Sequence, residues 1–164
     1  MSSYSAHSTH SIYSFYLLIL KEVFILANYI PYWRSNAFAV KDRAAFDAWI
    51  ATFDGEIDVE TREQDGQTLV ALFPSNPSEM GIPLARYNAE SQEFEECDFP
   101  AELSEHLMPD SVAVLQEVGH EKLRYLVGVA LAVNADGEIL KVSLDDLYPR
   151  IAEEWGLQAT PAEY

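Results

Sequence analysis

The sequence predicts an α+β fold, a mainly antiparallel β-sheet with two or three helices packed on one face. Strand-like segments follow one another in pairs joined by Asp-Gly or Gly-containing turns, as at Asp65-Gly66 and Asp136-Gly137. Apolar residues at helical spacing (Phe46, Trp49, Ile50, Phe53) follow the capping residue Asp42.

In chain order, Ser35 to Val40 reads as a first strand, with Phe38 and Val40 alternating against smaller residues. The helix after Asp42 is stopped by Gly55. Ile57 and Val59 alternate with Asp58 and Glu60, Asp65-Gly66 turns the chain, and Thr68 to Phe73 runs back as a hairpin. Pro74 to Gly81 reads as a loop, and Ile82–Tyr87 with Ser91–Phe94 as a weaker hairpin. Asp98 caps a helix over Phe99–Leu107, with Pro100 near its first position. Ser111–Val118 and Leu123–Val133 are long strands joined by a turn at Gly119-His120-Glu121. The second is so continuously apolar that burial on both faces is expected. Ile139–Val142 is a further strand, and Asp145–Trp155 a closing helix with a break at Pro149 and its end at Gly156.

The chain has 164 residues, 49% hydrophobic, enough for one domain of ordinary size and too apolar for wholesale disorder. Twenty-seven acidic residues against ten basic ones give a net charge of −17, which repels phosphates and argues against direct binding to nucleic acid or an anionic membrane. The lone Cys97 cannot form an internal disulfide, and no Cys/His spacing suits zinc.

Residues 1–25 read as a leader apart from the domain over 26–164. The apolar run Ile12–Leu20 is short for a bilayer, and no Lys or Arg precedes it as a secretory signal would require. Lys21-Glu22-Val23 can be encoded AAG-GAG-GTN, a ribosome-binding sequence, with Leu26 spaced to be a TTG start. The expectation is a native start at Leu26, a misplaced upstream start having added the leader; a signal or anchor is the alternative. The leader holds one Lys and one Glu, so the acidity belongs to the domain. The expected compartment is the cytoplasm.

Standard phosphate-loop, dinucleotide, zinc-protease and serine-hydrolase signatures are absent. His106 is expected on a polar helix face and His120 in a turn, and Glu96 and Asp98 beside Cys97 discourage a thiolate. No catalytic residue, metal or cofactor is expected. The conspicuous feature is acidity. Glu56, Asp58 and Glu60 fall on one strand face at roughly 6.5 to 7 Å intervals, and Glu93, Glu95, Glu96 and Asp98 form a second cluster. Such carboxylates either solvate a half-buried sheet or present a negative surface to a basic partner. Trp33, Arg34, Arg124 and Tyr125, with Tyr32, suggest a recognition patch of aromatics around scarce cations. Internal ion pairs of Arg34 and Arg124 are the alternative.

The phrases Arg34-Ser35-Asn36-Ala37-Phe38-Ala39-Val40-Lys41-Asp42 and Gly119-His120-Glu121-Lys122-Leu123-Arg124-Tyr125-Leu126-Val127-Gly128 resemble small uncharacterised acidic accessory proteins of bacterial plasmids and integrative elements. The resemblance implies a mobile-element setting and assigns no catalytic residue. Acidic anti-restriction and anti-CRISPR proteins of such elements occupy basic nucleic-acid grooves. The expected function is therefore a non-enzymatic interaction protein that covers the nucleic-acid-binding surface of a basic partner, such as a host defence protein. The alternative is a small enzyme or ligand-binding module with a pocket between the sheet and residues 74–98, where Glu117, Arg124 and His120 would converge.

Overall fold

The computed structural model describes residues 29–76, 81–88, 90–121 and 125–160, leaving the leader and its start-site expectation outside the described residues. In chain order the elements are β1 (Tyr29–Ser35), α1 (Arg43–Ile50), β2 (Ile57–Gln64), β3 (Gln67–Pro74), β4 (Ala85–Asn88), β5 (Glu93–Glu96), α2 (Phe99–Ser104), β6 (Val112–Glu121), β7 (Tyr125–Asn134), β8 (Ile139–Ser143) and α3 (Leu147–Trp155). The fold is α+β and mainly antiparallel. A four-stranded sheet runs β1-β6-β7-β8, while β2-β3 and β4-β5 are separate hairpins. The long excursion from β1 to β6 carries α1, both hairpins and α2 over one face of this sheet.

The first strand lies earlier than the Phe38 and Val40 alternation indicates. Those two residues make single bridges, to Val70 and Leu107, after the chain has left the sheet. The departure is set by two polar side chains. Asn36 extends the β1-β6 ladder by one rung, donating from Nδ2 to the Val112 carbonyl at 3.0 Å and accepting the Val114 N–H at 2.7 Å. Ser35 Oγ accepts the Leu72 N–H at 2.7 Å, which ties β1 to β3.

Asp42 caps α1, accepting the Ala45 N–H at 3.0 Å. Phe46 and Ile50 of α1 and Phe53 of the 3-10 turn that follows it bury one stripe, and helical geometry ends at Asp54 and Gly55, both at positive φ. Asp65 and Gly66, at φ 54° and 79°, form the tight turn of the β2-β3 hairpin. The second hairpin starts later than the sequence indicates, because Ile82 belongs to the core rather than to a strand. Helix α2 ends at Ser104, before Leu107, which is drawn into the bridge with Val40. Gly119, His120 and Glu121 are not a turn but paired residues of β6, opposite Val127, Leu126 and Tyr125. Pro149 does not break α3. It sits in the first helical turn, where its missing N–H has no intrahelical acceptor to lose.

Phe46, Phe53, Phe99, Leu103, Leu115 and Val133 are fully buried between the inner sheet face and the elements above it. Trp49 is the hub of an aromatic cluster, 5.4 Å from Phe53, 5.1 Å from Phe99 and stacked 4.9 Å from His106. Each well-oriented ring pair adds about 0.5–1.5 kcal/mol beyond area burial. Helices α1 and α2 thus pack on one face, whereas α3 buries no residue. Strand β7 is not buried on both faces either. Leu131 and Val133 point inward, but Leu126 on the other face is 65% exposed.

Candidate functional site

The carboxylates expected to form the acidic surface are distributed over two hairpins. Asp58 and Glu60 are exposed on one face of β2, as the alternation required, and the exposed Glu56 stands just before the strand. This row is partly neutralised. Arg62, next on the same face, donates to both oxygens of Glu60 at 3.0 and 3.1 Å, and Ser75 Oγ donates to Asp58 at 2.8 Å. The Arg62 hydrogen bonds and charge hold the Glu60 carboxyl below its ordinary value, with Arg34 adding to the effect. Partial burial, then the neighbouring Asp54, pushes the Glu56 carboxyl up. Asp58, Glu60, Tyr32 and Arg34 line a groove of about 710 Å³ between β1 and the β2-β3 hairpin.

Glu93, Glu95 and Glu96 lie exposed on β5. Asn88 Nδ2 donates to Glu95 at 2.6 Å, and the facing Tyr87 and Phe94 rings meet at 5.5 Å, with Phe94 72% exposed. Arg86 stands opposite Glu95 in register, but its guanidinium reaches Glu102 at 2.7 Å. Glu102 also accepts from Trp49 Nε1 at 2.8 Å, which anchors the hairpin to both α1 and α2. Asp98 is the exception in this cluster. Its half-buried carboxylate accepts the Ala101 N–H at 3.1 Å as the cap of α2, so it stands in the fold rather than on the acidic surface. Burial pushes its carboxyl up against the opposing pull of that bond.

The aromatic-cation patch is not assembled as the sequence suggested. Tyr32 and Arg34 point outward from β1, but the period-2 alternation turns Trp33 inward, where it is 4% exposed and meets Phe99 edge-on at 6.0 Å. Arg124 and the Tyr125 side chain lie outside the described residues. The convergence of Glu117 with His120 also fails, while Arg124 lies outside the described residues. Glu117 projects to the inner face and His120, three residues on along β6, to the outer one. His106 is not on a helix face; it follows α2, where burial lowers its pKa. Burial, with Glu102 and Asp98 adding to it, pushes the Cys97 thiol up to about 11.

The feature the sequence reading missed is the outer face of the four-stranded sheet. Its cross-strand rungs include Arg34–Gln116–Ala130–Val142 and Val114–Ala132–Leu140, and Tyr32 and Val118 lie opposite Gly128. Not one outward-facing position of these strands is Asp or Glu. Along β6 the exposed Val118 follows the buried Glu117, the reverse of the usual order of apolar inside and polar outside.

Among the described residues no group of His, Cys, Asp and Glu is placed to hold a metal ion, and no helix is long and apolar enough to cross a membrane. In comparisons with known proteins, no family model, curated protein or solved structure matches this chain.

Proposed function

We propose that the protein is a non-enzymatic interaction protein whose acidic hairpins engage a basic partner, of the kind that carries a nucleic-acid-binding groove. The reading rests on where the carboxylates are. If acidity served solubility alone, the exposed apolar face of the sheet is where it would be needed most, and that face has none. Exposed carboxylates cluster instead on and beside the β2-β3 and β4-β5 hairpins, at Glu56, Asp58, Glu93, Glu95 and Glu96, with a further group at Asp145, Asp146, Glu153 and Glu154. Such a surface speeds encounter with a positive groove, and the exposed Tyr87 and Phe94 supply contacts of the kind that slow dissociation.

The test is DNA cleavage by a panel of restriction endonucleases and RNA-guided nucleases with and without the protein. Inhibition that weakens as salt rises, and that is lost in a Glu56→Lys/Asp58→Lys/Glu93→Lys/Glu95→Lys variant of unchanged thermal stability, supports the reading. Absence of inhibition across the panel, or inhibition indifferent to salt and to the variant, counts against it.

A further inference from the structure

We propose that the outer face of the four-stranded sheet is the interface of a two-fold homodimer. The relief of the face is self-complementary. Strand β7 contributes a furrow of small residues (Ala130, Ala132) between two ridges, Val114 on β6 and Leu140 and Val142 on β8. Under a two-fold axis the β8 ridge of each copy enters the β7 furrow of the other, an isologous arrangement that closes on itself.

The amount of surface fits the same partner. Leu140 is 75% exposed, Val142 61% and Val118 58%. The Leu144 side chain lies across Gly128, where a Cβ would stand 2.8 Å from its Cγ, and so joins the sheet face to α3. Helix α3, which begins three residues after Leu144, is amphipathic and has no buried residue, with Leu147 and Trp155 60% and 68% exposed. At about 120 Å² for a fully exposed aliphatic side chain and about 200 Å² for an aromatic one, the exposed apolar residues of the sheet face, with Leu144, present on the order of 500 Å². A two-fold dimer would bury about twice that, the roughly 1,000 Å² in total at which a specific interface begins.

Charge selects the occupant. A basic partner finds no carboxylate among the outward-facing strand positions, and an acidic one finds only Arg34 and His120, in different rungs. A second copy meets this face with an equally uncharged one. The carboxylates of both copies then stay off the buried seam, where unpaired charge is costly. Because two copies each carry −17, their residual repulsion is screened as salt rises. Dimerisation should therefore strengthen with salt, opposite in sign to binding of a basic partner.

Sedimentation equilibrium of the full-length chain over a concentration series, at low and at high sodium chloride, tests this. The expected result is a monomer–dimer equilibrium that tightens with salt and weakens by on the order of tenfold or more in Val142→Glu and in Ala130→Glu. Val142→Glu alters an exposed position, so its thermal midpoint at low protein concentration should match the wild type. The Glu56→Gln/Asp58→Asn/Glu60→Gln variant should dimerise as well as the wild type. A chain that stays monomeric throughout the series overturns the proposal. So does a dimer indifferent to both glutamate substitutions.

Discussion

Tyr29 donates its phenolic hydrogen to Glu117 Oε1 at 2.9 Å, joining the start of β1 to a carboxyl group sealed inside the sheet's inner face. The other oxygen of Glu117 accepts the Ile82 N–H at 2.7 Å, so one side chain ties β6 to β1 and to the connection entering β4. Burial outweighs both bonds and raises the Glu117 carboxyl above its ordinary value. The folded protein therefore holds this proton more tightly than the unfolded chain does. Its contribution is complete below the ordinary carboxyl pKa of 4.5 and is lost as pH climbs from there through the raised folded value. Glu117→Gln should remove this part of the decline, because an amide can still accept from Ile82 and donate to the Tyr29 oxygen. Urea midpoints of wild type and Glu117→Gln at a series of pH values from 4 upward check it, and parallel curves would refute it.

Gly119 makes room for that Tyr29 ring. A Cβ built at Gly119 would stand 2.4 Å from the Tyr29 hydroxyl and 2.5 Å from Cζ, too close for any real contact. Gly119→Ala should cost about 1–3 kcal/mol through displacement of the ring and loss of its bond to Glu117. In the Tyr29→Ala background the same substitution should cost much less. A double-mutant cycle by denaturant unfolding measures the difference, and additive costs would show that the ring is not the obstacle.

Cys97 should be chemically silent while the protein is folded. Its thiol is 6% exposed and is pushed up to about 11, first by burial and then by Glu102. At pH 7.5 the thiolate fraction is well below one per cent. Ellman's reagent should therefore react at the rate of unfolding, and rapidly in urea. Prompt reaction of the native chain would mean that the strand end at Glu96 opens freely.

Local signals in the chain were read well where one residue decides one geometry. Asp42 and Asp98 cap helices, and Asp65-Gly66 turns a hairpin, whatever surrounds them. Errors arose where a distant partner decides. Gly119 has the look of a turn residue, yet it is small because Tyr29, ninety residues earlier, lies against it. The apolar run of β7 looked like a strand covered on both sides, because composition does not distinguish a covered face from an open one. The carboxylate row of β2 is legible from period-2 spacing, which also puts Arg62 on the same face, but only the folded strand brings its guanidinium onto Glu60. Trp33 was placed on the surface beside Arg34, although alternation along β1 puts the two on opposite faces.

Asp98 separates the acidic cluster into surface and scaffold, and this can be measured. Its carboxylate accepts the Ala101 N–H at 3.1 Å, and the α2 it caps carries the buried Phe99 and Leu103. Asp98→Ala should lose about 1 kcal/mol of stability, with Asp98→Asn retaining most of it, because an amide oxygen serves as an N-cap acceptor. Glu95→Gln, on the exposed strand two residues before Cys97, should leave stability within about 0.5 kcal/mol of wild type. Binding of a basic partner should respond in the opposite way, weakened by Glu93→Gln/Glu95→Gln and nearly indifferent to Asp98→Asn. Urea unfolding and salt-dependent titration of the same variants give both numbers. Equal losses of affinity for Asp98→Asn and Glu93→Gln/Glu95→Gln would return Asp98 to the binding surface and refute its assignment as a cap alone.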